Sequence, residues 1–144
     1  MRSSDFRAGW LVVLSCFFCL GVNEVAFIGA DRCQLCHRST YTRWQATAHG
    51  GATESLDIEI ETPSCLPCHT TGPAALPGVQ CEACHGAGGN YWPAEIMIDA
   101  VKAREAGLVM PDEATCRRCH GRGLPGHADR FEMPRGAELP RTVH

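Results

Sequence analysis

Four times in this chain two cysteines stand three positions apart with a histidine directly after the second. The copies are Cys33-Gln34-Leu35-Cys36-His37, Cys65-Leu66-Pro67-Cys68-His69, Cys81-Glu82-Ala83-Cys84-His85 and Cys116-Arg117-Arg118-Cys119-His120. Cys-x-x-Cys-His is the pattern of c-type haem attachment. Two thiols on one helical turn add to the two vinyl groups of a porphyrin, and the neighbouring imidazole becomes the proximal ligand of its iron. The expected cofactors are therefore four covalently attached c-type haems. Cys33, Cys36, Cys65, Cys68, Cys81, Cys84, Cys116 and Cys119 form the thioether links, and His37, His69, His85 and His120 bind iron. A polypeptide tied to four macrocycles has little freedom to build any other core.

A structural zinc module is the competing reading. Cys81 to Gly88 and Cys116 to Gly123 both read C-x-x-C-x-G-x-G, the repeat with which two thiol pairs make a four-thiolate site. Only those two motifs carry both glycines, whereas all four carry the histidine. Haem explains the regular element, and zinc explains only half of it.

Of the 144 residues, ten are cysteines, and the two outside the motifs, Cys16 and Cys19, fall near the N-terminus. No pair is left for a structural disulfide after them. Residues 1–30 read as a signal peptide or N-terminal anchor. Arg2 and Arg7 precede an apolar run over residues 10–22, which is short for a bilayer span and suits a secretory leader. Cleavage after Ala30, with Ile28 at the −3 position, would release a domain of residues 31–144. An uncut anchor is the alternative, and a membrane partner follows only from it. Export fits haem, which is joined to such motifs outside the bacterial cytoplasm. The expected location is the periplasm.

The net charge of −3 and the lack of a basic patch give no reason to expect a nucleic-acid partner. Lys102 is the only lysine, so the basic side chains are otherwise arginines, whose forked donors suit haem propionates. The acidic excess lies before residue 115 and could steer docking onto a basic redox partner.

Local patterns predict mostly helix and coil. Ser39 is a candidate cap for a helix over residues 40–55, with Tyr41, Trp44 and Ala48 on one face. Leu56, Ile58 and Ile60 alternate with acidic residues, as in a short extended segment. Residues 93–106 read as one helix that stops at Gly107, and Asp112 as the cap of a helix entering the fourth motif. Gly86, Gly88 and Gly89 could lie flat against a porphyrin. From Gly121 onward an irregular wrap is expected.

After the four proximal histidines only His49, His127 and His144 remain for the distal positions. Three imidazoles cannot fill four sites, so one iron takes another ligand or stays open. Met97, Met110 and Met133 are the thioether candidates.

Three stretches carry a resemblance to a known family. Trp44-Gln45-Ala46-Thr47-Ala48-His49 is followed by Ala52 and Glu54-Ser55-Leu56; Cys65 to Gly72 holds the second motif; and Gly78 to Gly88 holds the third, with Ala87 where proline is common. Together they resemble the tetrahaem cytochrome c-554 family over about residues 31–144. The resemblance implies that His49 is the distal ligand to the haem of a different motif. It also implies that the haem on His69 is five-coordinate and that the other three are bis-histidine, with His144 a further ligand. The family's histidine shortly after the third motif is missing here, where Asn90-Tyr91-Trp92-Pro93 stands, so either His127 serves the first haem or that haem is also open.

The expectation is thus a mainly α, coil-rich, compact multihaem cytochrome c fold with the haems forming the core. Its expected role is to relay single electrons between an upstream oxidoreductase and a downstream cytochrome or quinone-linked acceptor. The alternative is reduction of nitric oxide or a related nitrogen oxide at a five-coordinate haem.

Overall fold

The computed structural model of the chain describes residues 24–56 and 64–121. The leader run over residues 10–22, most of the extended segment expected at 56–60, and the C-terminal wrap with His127, Met133 and His144 lie outside them. Among the described residues the chain is mostly short helix and coil, with one two-residue hairpin. The helices are α1 (Ala30–Gln34), α2 (Arg38–Gln45), α3 (Leu66–His69), α4 (Cys81–His85), α5 (Ala94–Met97), α6 (Ala100–Glu105) and α7 (Glu113–Arg117). Strands β1 (Thr70–Thr71) and β2 (Leu76–Pro77) pair antiparallel, Thr70 with Pro77 and Thr71 with Leu76. No described helix is long and apolar enough to cross a membrane.

Each motif makes one helical turn, as its spacing demands. In the first and fourth, the histidine amide donates back to the carbonyl of the leading cysteine: His37 N to Cys33 O at 2.9 Å and His120 N to Cys116 O at 3.0 Å. The second motif is helix α3 with Cys65 as its cap, and the third is α4. Helix α1 packs on α2 and on α4, which brings the first motif against the third.

Two expected helices are shorter than their patterns. Helix α2 starts one residue after its cap His37, with Ser39 inside it, and ends at Gln45 rather than near residue 55. Thr47 stops it: its hydroxyl donates to Trp44 O at 2.7 Å, its amide also bonds Trp44 O, and it accepts from Gly50 N at 3.3 Å. His49 therefore sits in a turn. The expected helix over residues 93–106 is two, because Asp99 accepts from Val101 N at 3.0 Å and Lys102 N at 3.2 Å and so caps a new start.

Helix α6 ends at Gly107 as the pattern predicts. Leu108 N bonds Ala103 O at 2.9 Å and Gly107 N bonds Arg104 O at 3.0 Å, a Schellman closure with Gly107 at φ 109°. A Cβ there meets nothing within 4 Å, so Gly107→Ala isolates backbone strain from crowding. That substitution is expected to cost about 1–2 kcal/mol and to lower the melting temperature without changing haem content. At Asp112 the expected cap is also found, reciprocated by Thr115.

Gly88 and Gly89 serve a purpose the sequence did not suggest. A Cβ on Gly88 would come within 2.9 Å of Ile28, and one on Gly89 within 2.8 Å of the Ala26 carbonyl. Their bare backbone seats the segment preceding α1, and Gly89 N donates to Ala26 O at 2.9 Å.

Among the described residues the apolar core is thin. Ala30, Trp44, Ala52, Tyr91 and Ala103 are the buried hydrophobic residues among those described, while Ile98, Leu35, Val101 and Met110 are mostly exposed. Such a small apolar core falls short of what a domain of this size ordinarily needs. Buried polar contacts replace part of it: Thr71, 1% exposed, donates to Gly78 O at 2.9 Å and accepts from Gln80 N at 2.8 Å.

Candidate functional site

The turn after α2 brings His49 to the fourth motif. Its ring centre lies 5.8 Å from that of His120, with the ring planes tilted 57°. Two imidazoles that share one iron, each at about 2 Å from the metal, have ring centres on the order of 6 Å apart. His49 thus faces the histidine of a motif other than the one it follows in sequence. Burial lowers the pKa of His49, which favours the neutral imidazole that a metal requires.

His49 is held by the backbone just ahead of the third motif and by its own turn. Its carbonyl accepts from Val79 N at 2.8 Å and Ala52 N at 3.3 Å. Trp44, 8% exposed, donates its indole N–H to Val79 O at 2.8 Å. The Trp44-to-His49 stretch thus works as a bracket. Its aromatic end grips residue 79, and its imidazole end reaches motif four.

Two of the motif histidines have one ring nitrogen oriented by a backbone carbonyl. His69 Nδ1 donates to Ala52 O at 2.6 Å, and His85 Nδ1 donates to Val109 O at 2.9 Å. A carbonyl only accepts, so Nδ1 carries the proton in both rings and Nε2 is left as a donor of electrons to metal. Tyr91, 6% exposed, braces the third motif by donating to Gly86 O at 2.7 Å and His85 O at 3.3 Å. Sequence reasoning did not identify the carbonyls of Ala52 and Val109 as acceptors for these rings, because a backbone carbonyl carries no residue-type signal.

The thiols meet across motifs. Cys33 and Cys81 lie side by side; the hydrogen bond between them, with burial, pushes Cys33 up, and the same bond holds Cys81 down against the effect of burial. Burial, together with a hydrogen bond to Cys68, pushes Cys119 up to about 12. Burial also raises Cys84, with the nearby Cys116 adding to it. Arg118 Nη2 donates to Ala83 O, joining the fourth motif to the third. Motif one thus lies against three, three against four, and four against two. Among the described residues no three His, Cys, Asp or Glu side chains converge as a metal-ion cage.

Glu82 was not singled out as a functional residue. It is 2% exposed, and its carboxyl oxygens accept from Ile28 N at 2.9 Å, Gly29 N at 2.8 Å and Gly88 N at 2.6 Å. It ties the attachment helix α4 to the chain before the first motif and to the loop after the third. Of the methionine candidates, Met97 ends α5 and Met110 is 59% exposed.

Comparison with known proteins follows the same lines. The family model described as cytochrome c554 and c-prime matches residues 32–86, which hold the first three motifs and the His49 bracket. Cytochrome c-554 of Nitrosomonas europaea is 28% identical over 97 residues, amounting to 47% of this chain and 41% of that protein. The chain thus spans less than half the length of that relative. The solved structure of reduced cytochrome c554 from the same organism matches with a TM-score of 0.55 at 21% identity, covering 81% of this chain and 76% of that one. The shared architecture is the helix-and-coil fold described above. Motif spacing, the bracket and the fold agree, and residues 32–86 are similar to the cytochrome c554 and c-prime family.

Proposed function

We propose that this chain is an exported electron-transfer protein that carries four covalently bound c-type haems and passes single electrons between redox partners. The observation that carries the reading is His49 set against His120 at 5.8 Å, a spacing suited to two axial ligands and arising between residues far apart in sequence. When bound, each haem supplies an iron that takes up and releases one electron without breaking a bond.

The chain's own residues bind, orient and insulate. Cys33, Cys36, Cys65, Cys68, Cys81, Cys84, Cys116 and Cys119 anchor the macrocycles, and His37, His69, His85 and His120 supply proximal nitrogens. The Nδ1 bonds of His69 and His85 hold each ring at a set angle and strengthen its donor nitrogen, which tends to lower reduction potential. The attachment helices neighbour one another in the order two, four, three, one, so a charge entering at either end meets the others in turn. His144 supplies a further distal nitrogen, His127 serves the first haem or that haem stays open, and the haem on His69 has no distal histidine. With roughly 28 residues per haem, porphyrin substitutes for the side-chain core that the polypeptide lacks.

The partners are an upstream oxidoreductase and a downstream cytochrome or quinone-linked acceptor in the periplasm. The acidic balance of the chain favours a basic docking face on one of them. The test is expression of the full chain with its own leader in a host that attaches haem. Pyridine haemochrome quantitation and intact mass are expected to give four haems per chain. A colourless product of bare polypeptide mass overturns the proposal, and zinc in that product restores the rival reading.

A further inference from the structure

The segment over residues 24–30 is read from sequence as the end of a removable leader, yet it is built into the haem-attachment domain at four points. Ile28 N and Gly29 N both donate to Glu82, whose carboxyl group is 2% exposed. Ala30, 4% exposed, donates its amide to Gln80 Oε1 at 2.7 Å. Ala26 O accepts from Gly89 N at 2.9 Å. The Phe27 ring lies so close over Gly72 that a Cβ there would come within 2.7 Å of it. Those contacts reach the loop after the second motif and both sides of the third.

Cutting the chain after Ala30 would remove all of this. Glu82 would lose two of its three amide donors inside the protein, and Gly88 and Gly89 would face empty space where Ile28 and Ala26 sit. A buried carboxyl group with too few donors is costly, whereas the uncut segment satisfies it fully. Nothing comparable ties the chain down before Ala26 among the described residues.

We infer that residues 26–30 form a strap belonging to the finished domain, and that export processing falls upstream of Ala26. The sequence offers a bond that suits it. The apolar run ends in Cys19-Leu20-Gly21, which places small residues at −3 and −1 of the Gly21–Val22 bond. A signal peptidase hydrolyses that bond with one water, leaving a carboxyl group on Gly21 and a new amino terminus on Val22.

The experiment sequences the amino terminus of the haem-containing protein, exported from the full chain under its own leader. Val22 is the expected first residue. Any other start upstream of Ala26, including the uncut chain, still leaves the strap in place and supports its role, while a start at Asp31 overturns it. A second measurement puts two versions behind the same foreign leader, one released at Val22 and one at Asp31. The Asp31 version is expected to melt lower by on the order of 10 °C, or to accumulate several-fold less four-haem protein. Equal melting and equal yield overturn the inference, and neither readout depends on which partners the protein serves.

Discussion

Replacing His49 with alanine is expected to convert one of the haems to high spin while leaving the number of attached haems unchanged. The two outcomes separate because attachment and distal ligation use different residues. Thioether bonds are made by the cysteines, and His49 takes no part in them. On the proposed ligation, removal of the imidazole facing His120 takes away an iron-binding nitrogen, and a methyl group cannot replace it. Electron paramagnetic resonance or magnetic circular dichroism of the variant should show one additional high-spin iron per chain, and the reduced variant should bind one more carbon monoxide than the wild type. The potential of that haem is expected to change as well, because a lost histidine donor alters the balance between its two oxidation states. Spectra that match the wild type would remove His49 from the set of ligands and leave its contact with His120 as packing alone.

Replacing Glu82 with alanine is expected to be among the most destabilising single changes in the described part of the chain. Its carboxyl group, 2% exposed, is the common acceptor for amides of Ile28, Gly29 and Gly88. Each buried N–H left without an acceptor costs about 1–3 kcal/mol, and water entering the small space left recovers part of it. A net loss on the order of 4 kcal/mol is expected, read from denaturant unfolding of the holoprotein. Glu82→Gln keeps one acceptor oxygen and should lose roughly half as much. Haem count should not change in either variant. A loss under about 0.5 kcal/mol for Glu82→Ala would mean that the amides find other acceptors, and the strap over residues 26–30 would lose its main fastening.

The motifs were legible because their chemistry is local. A thiol pair and an imidazole must fall on one helical turn to meet one macrocycle, and that requirement is written in five consecutive residues. His49 was legible for a different reason: too few histidines exist for the distal sites, and the surrounding Trp44-to-His49 stretch resembles the family. The helix ends were less legible. Thr47 and Asp99 each offer side-chain oxygens to nearby backbone groups, and such competition ends a helix whose apolar spacing alone would continue it. Periodicity records which face is buried and says nothing about where a hydroxyl or carboxyl group turns back on the chain.

By itself the sequence determined what this protein is made to hold: c-type haem follows from residue identity and spacing. The tertiary structure alone decided which parts meet. Only the folded chain sets His49 against His120, turns His69 and His85 with backbone carbonyls, and buries Glu82 beneath amides from more than fifty residues away. The physical reason is that haem attachment is selected by bonds within one turn. Pairing, orientation and burial depend on distances through space, and in a chain with so thin an apolar core no sequence period encodes them.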